Sequence, residues 1–434
     1  MIDKLSFDVD FLGLEHGSPA ERASFGNLEI RAGDVVFTEV VDLLAQTTRS
    51  SIRVSMNALG RWLAEHWWRL RFEPAPRMEP SAEWRMAHDL PAAGGGFVWP
   101  FLRFASDGQA VQIDSRPTLE AHSIRYYRRE SVRCAAAAFE NGVDQLIEML
   151  LARQHDLGAV DANLMATWHE VRQERADPEF SAFRRREALM GMNPGEVDPD
   201  RLGAWLERNL WVGEHALDEL VAGVTEPEAS ARLDQLTQIR GEIGACLSIE
   251  QVRRAATGWD RGSRGLEPWE QGEALARHLR AALGLGSGPL SDRLLSDLVH
   301  ADIQSSDWHE PVSAFGAGIR DGERLSPILR RVRHPETRRF AVARLLADAA
   351  GAGAEDDVLP LTDASTARQR FQRSAAQELL CPLDGLLEYV GERWSDDEAL
   401  SDAADYYGVS ERLVITKLVN KRILPRDYLD SLTG

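Results

Sequence analysis

The hydrophobic period of this chain changes near residue 127, from alternation to a helical repeat of about 3.6 residues. Before that point LSFDVDFL (5–12) and NLEIRAGDVVFTEVVD (27–42) alternate and are rich in Val, Ile and Phe, which predicts strands with a turn at Gly33-Asp34. FVWPFLRF and AVQIDS flank Asp107-Gly108 as a hairpin would. Between them, 53–70 reads as a helix with a bulky stripe of Ser55, Leu59, Trp62, Leu63, His66 and Trp67. After it, residues 130–156 read as one long helix, with Val132, Ala136, Phe139, Val143, Leu146, Ile147 and Leu150 on one face. Asp198 and Pro199 open another helix, as N-cap and first residue. The pattern predicts an α+β, predominantly helical fold. Its parts are a β-rich Trp/Arg module (1–126), a helical region (127–257), a linker (258–264) and a largely helical C-terminal domain (265–434) with a short sheet before Arg338.

Five of the twelve tryptophans fall in 61–104, interleaved with arginines. Aromatics beside arginine can stack bases and hold phosphates, or anchor a protein interface. Trp67, Trp68, Arg69, Arg71, Trp84 and Arg85 are therefore candidate binding residues. The competing reading is a tryptophan-heavy core with surface arginines. Glu65, His66, His88 and Asp89 invite a metal site or an enzyme, but they belong to different elements. GGGFVWP lacks the lysine of a phosphate loop. Arg184-Arg185-Arg186 reads as a solvated helix face.

A net charge of −19 argues against broad, sequence-independent nucleic-acid binding. Positive charge is nearly all arginine, with lysine only at Lys4, Lys417 and Lys421, which fits coding bias in a GC-rich bacterial genome. No run approaches the length of a membrane span and the first residues lack a signal-peptide core, so the expected location is cytoplasmic. Cys134, Cys246 and Cys381 are too few and too scattered for a disulfide framework.

Residues 337–382 read as a helix, a polar loop (351–366) and a second helix stopped at Pro382. Arg339-Phe340 followed by Ala341, Val342 and Ala343, and later Ala375, Ala376, Glu378, Leu379, Leu380 and Pro382, keep the framework of a known catalytic segment. Upstream, Pro268, Trp269, Gln271, Gly272 and Ala276 match its opening; downstream, Tyr407, Gly408, Val409, Ser410, Val414, Lys417 and Leu418 match its closing segment. Over about 265–425 the chain resembles the ImmA/IrrE-like metallopeptidases. In that family two histidines four apart bind zinc, the intervening glutamate activates water, and a glutamate on the next helix completes the site. Here Arg344 and Asp348 stand at the histidines, Leu345 at the general base and Gln369 at the distal ligand. The resemblance thus implies a degenerate zincin-like domain with no catalytic residues, no metal and no cofactor.

It also implies a binding or regulatory role toward a partner protein, because active relatives act on helix-turn-helix repressors in stress and phage-response settings. The alternative is nucleic-acid binding through the Trp/Arg module or through Lys417, Lys421 and Arg422 in the closing segment.

Overall fold

The computed structural model describes residues 1–118, 122–196, 198–241, 245–259, 265–305, 307–329, 334–351 and 356–430. The fold is α+β and predominantly helical, with small antiparallel sheets. Among the described residues no helix is long and apolar enough to cross a membrane.

The chain divides into two compact units. The first comprises 1–205, 221–225 and 364–366; the second comprises 206–220, 226–363 and 367–434. The division falls inside the helix Pro199–Arg208, not at the expected linker 258–264, of which 260–264 lie outside the described residues. Strand pairing accounts for the difference. Leu247–Ser248 pairs antiparallel with Arg324–Ile328, so the residues before the expected linker belong to the second unit's sheet.

In the first unit Phe25–Ala32 pairs antiparallel with Leu5–Phe11, from Leu5↔Ala32 to Phe11↔Gly26, and with Ile52–Ser55. Its buried residues alternate, as a half-buried strand requires. Phe101–Ser106 and Ala110–Arg116 form the hairpin around Gly108. The expected helix 130–156 begins later: Ser131–Ala135 is a strand on Ala110–Asp114, and the helix is Ala136–Asp156. Val132 and Cys134 alternate inward, so the sheet claims them before the helical repeat starts. The 53–70 stretch likewise splits into the strand Ile52–Ser55 and the helices Asn57–Glu65 and Trp67–Phe72.

The second unit has a sheet in the order Leu247–Ser248, Arg324–Ile328, Gly316–Asp321, Val358–Leu361. The last strand lies in the stretch expected to be a polar loop, of which 352–355 are outside the described residues. All four of its residues are buried, and a short apolar run bounded by polar residues suits a core strand. The helices Pro268–Ala282, Pro335–Gly351 and Ala367–Leu380 pack in the same unit. A Cβ on Gly272 would overlap the Phe371 carbonyl, so glycine sets the close approach of two of these helices. Asp397–Tyr407 and Glu411–Asn420 form a helix-turn-helix, with Gly408 as left-handed cap and the Ser410 hydroxyl accepting from the Leu413 N–H at 3.3 Å.

Candidate functional site

Arg344 and Asp348 lie four apart on the helix Pro335–Gly351 and so share a face. The helix Ala367–Leu380 brings Gln369 opposite them. Arg344 Nη2 donates to Gln369 Oε1, to Gln372 Oε1 at 3.3 Å and to the Thr362 carbonyl at 3.1 Å. Gln369 Nε2 donates in turn to Glu219 Oε2 at 2.9 Å and to the Pro360 carbonyl at 3.1 Å. One turn on, Asp348 accepts from Arg368 Nη2 at 2.7 Å, and Arg368 Nη1 reaches Asp356 at 2.6 Å. Leu345 faces the apolar core, fully buried.

Arg344 and Gln369 thus meet directly, while Asp348 pairs with Arg368 and Leu345 lies in the core. Burial, with Arg373 nearby, pulls the Arg344 pKa down to about 9, so the group is still a cation at neutral pH. Burial also works against the Arg368 charge, but Asp348 and Asp356 outweigh it and raise its pKa. The same side chains close a sheet edge. Gln369 and Gln372 bond the outward carbonyl of Pro360, Gln369 Oε1 accepts from the Thr362 N–H at 3.0 Å, and the Thr362 carbonyl takes Arg344 and Arg373. A cleft of about 270 Å³ lies beside Arg344 in the second unit. Among the described residues no group of three or more His, Cys, Asp and Glu side chains is arranged to hold a metal ion.

The candidate binding residues of the first unit lie elsewhere than on a recognition surface. Trp67, Trp68 and Trp84 are buried. Trp68 Nε1 donates to Glu174 Oε2 at 2.8 Å, and the Trp67 and Trp68 rings meet edge-on at 4.8 Å. Stacking on a base needs an open ring face, so these three are core residues, contrary to the binding expectation. Arg69 is buried against Glu73 at 2.6 Å, and Arg71 bonds Glu140. Only Arg85 of the set is exposed. Arg184 and Arg186 are buried as well, Arg184 between Glu174 and Glu187 at 2.7 Å each, which corrects the reading of a solvated face.

The first unit also holds a buried cluster around His88, whose partner Glu73 the sequence did not single out. His88 is fully buried; its Nδ1 lies 2.8 Å from the Phe104 carbonyl and its Nε2 2.9 Å from Glu73 Oε2. Each ring nitrogen thus faces an oxygen of a buried partner. Burial raises the Glu73 pKa, but His88 and Arg69 outweigh it and hold the carboxyl below its ordinary value. Trp84 stacks on the ring at 4.0 Å. His66, one helix junction away, is pushed down to about 4 by burial and by the Arg69 and His88 charges.

In the closing segment Lys417 is buried, bonded to Glu378 and, at 2.6 Å, to the Cys381 carbonyl. It anchors the helix-turn-helix and is withdrawn from any phosphate. Lys421 pairs with Glu273 at 2.7 Å, and Arg422 is exposed. Comparison of the chain with protein-family models, with curated proteins and with solved structures returns no match.

Proposed function

We propose that this chain is a non-catalytic binding and regulatory protein. It is built on an inactive ImmA/IrrE-like peptidase domain over about 265–425 and recognises a partner protein in the cytoplasm, in a bacterial regulatory, stress or phage-defence setting. One observation carries the reading: the buried Arg344 cation sits where the aligned histidine would bind metal, while a cleft stays open beside it. A guanidinium there repels a dication, and Leu345 has no group to take a proton from water. A cleft that accepts an extended segment does not need the metal for affinity.

The test is elemental analysis of purified protein, with size exclusion and mass spectrometry of what co-purifies from its own host. The expected result is zinc far below one atom per chain and a protein carried along. Near-stoichiometric zinc would overturn the reading.

Nucleic-acid binding has one supporting observation, on a surface other than the expected residues. A cleft of about 550 Å³ is lined by Trp211, Arg240, Arg253 and Arg320, with the Arg240 guanidinium 4.3 Å over the Trp211 ring. Asp321 and Asp357 share that cleft and oppose a polyanion. Salt-dependent DNA binding lost in Arg240→Ala would favour this second reading.

A further inference from the structure

The cleft beside Arg344 has an apolar body and a cationic base. Phe315, Leu329 and Leu361 supply apolar lining, and Ala341 lies along the same helix as Arg344. Thr337, Ala341 and Arg344 follow at helical spacing, so one face of that helix forms a wall of the cleft. Arg344 spends only Nη2 on its three hydrogen bonds. Its Nε is buried without a partner, and Nη1 makes no hydrogen bond among the described residues. Buried donors are nearly always satisfied, so a guanidinium in the cleft lining that leaves Nε orphaned and Nη1 without a hydrogen bond has donor capacity left for an acceptor at Nη1.

The charges around the cleft agree. Among the described lining residues Arg338 and Arg344 stand against the carboxylate of Asp363, and Asp348 and Glu219 also act on Arg344 from outside the lining. Asp363 also acts on Arg232, whose guanidinium sits 5.5 Å over the Phe315 ring. Among the described lining residues the surplus is positive.

We propose that this cleft receives a carboxylate carried on an apolar body, with the carboxylate on Nη1 of Arg344 and the apolar part against Phe315, Leu329 and Leu361. The inference rests on the reading of this face as a binding site and names what it binds. A cavity of about 270 Å³ holds a group the size of one residue. That group is either the C-terminal residue of a polypeptide or a free short-chain acid, and both present the same chemistry.

Calorimetric titration with N-acetyl-leucine, N-acetyl-leucinamide and hexanoate separates the cases. A fragment of this size should bind at about millimolar affinity. The expected result is saturable binding of N-acetyl-leucine, weakened at least about tenfold for the amide, because only the acid is a charged acceptor. Arg344→Met should weaken the acid by a similar factor. Ala341→Phe, which fills the cleft and leaves Arg344 in place, should abolish binding and keeps the test alive should Arg344→Met fail to fold. Tighter binding of N-acetyl-leucine than of hexanoate assigns a chain end, and the reverse assigns a free acid.

Equal binding of acid and amide, binding that survives both variants, or no saturable binding of any probe would overturn the proposal. The two readings fail separately. A host protein that co-purifies with a cleft blind to all three probes sinks the carboxylate receptor alone. Probe binding with no co-purifying protein sinks the partner-protein reading alone.

Discussion

In the first unit, His88 lies between two acceptors, and Glu73 takes hydrogen bonds from both His88 and Arg69. In the second unit, Arg344 sits among acceptors too, yet among the described residues two of its three nitrogens make no hydrogen bond, and a cleft adjoins it. Both clusters are buried and charged, and their residue types overlap. The closed cluster spends every charge on the fold, as a buried network must if it is to repay its desolvation. The open one leaves binding capacity over. Burial and charge alone therefore do not mark a site; unspent capacity beside a cavity does.

The comparison is broken most directly at Glu73. Glu73→Gln leaves the buried Arg69 charge without its counter-ion and removes the carboxylate beside His88, and losing one partner of a buried pair costs about 3–5 kcal/mol. Urea unfolding followed by tryptophan fluorescence should record that loss. A change below about 1 kcal/mol, the size of an exposed pair, would mean the cluster is not the closed structural element described.

Acid sharpens the same contrast. His66 falls from 6.5 to about 4 in the fold, so below pH 6.5 the unfolded chain binds a proton that the folded chain refuses. Stability is therefore full above pH 6.5 and declines as pH falls toward 4. Between pH 7 and 5 the His66 share of the loss is about 2 kcal/mol. Glu73, held below its ordinary value, keeps its contribution until pH drops below 4.5, so it leaves this window clear. Unfolding curves at pH 7 and pH 5 should differ by that amount more in the native chain than in His66→Phe. An equal pH slope in both would remove His66 as the cause.

Much of this architecture was legible in the order of residues. Alternation in 27–32 and the Asp107-Gly108 turn located strands, and the spacing of Phe139, Val143, Leu146 and Leu150 located a helix. What stayed hidden depended on distant partners. Lys417 looked like a phosphate contact because nothing local discloses Glu378, 39 positions away. Trp67, Trp68 and Trp84 could be read as a core or as a recognition surface, because period and composition do not distinguish a bulky core from a bulky interface. Ser131–Ala135 joined a sheet through a register set by Ala110–Asp114. The cleft beside Arg344 could not be read at all, since it arises from two strands and a helix meeting in space.

The smallest expected effect on stability comes from Arg344 itself, and it is the sharpest test of what separates the clusters. Arg344→Met removes a cation whose burial already opposes its charge. The acceptors left behind are mostly covered: Gln369 Oε1 still takes the Thr362 N–H at 3.0 Å, and the Thr362 carbonyl still takes Arg373 at 3.0 Å. Only Gln372 Oε1, at 3.3 Å from Arg344, has no second donor among its hydrogen bonds. The net change should therefore be about 1 kcal/mol, the size of a single hydrogen bond, against about 3–5 kcal/mol at Glu73. Parallel urea titrations of Glu73→Gln and Arg344→Met read the ratio directly. If Arg344→Met costs as much as Glu73→Gln, the second cluster is a structural lock like the first, and its free nitrogens carry no meaning for binding. If it costs little while the response to N-acetyl-leucine disappears, that charge is kept for a ligand.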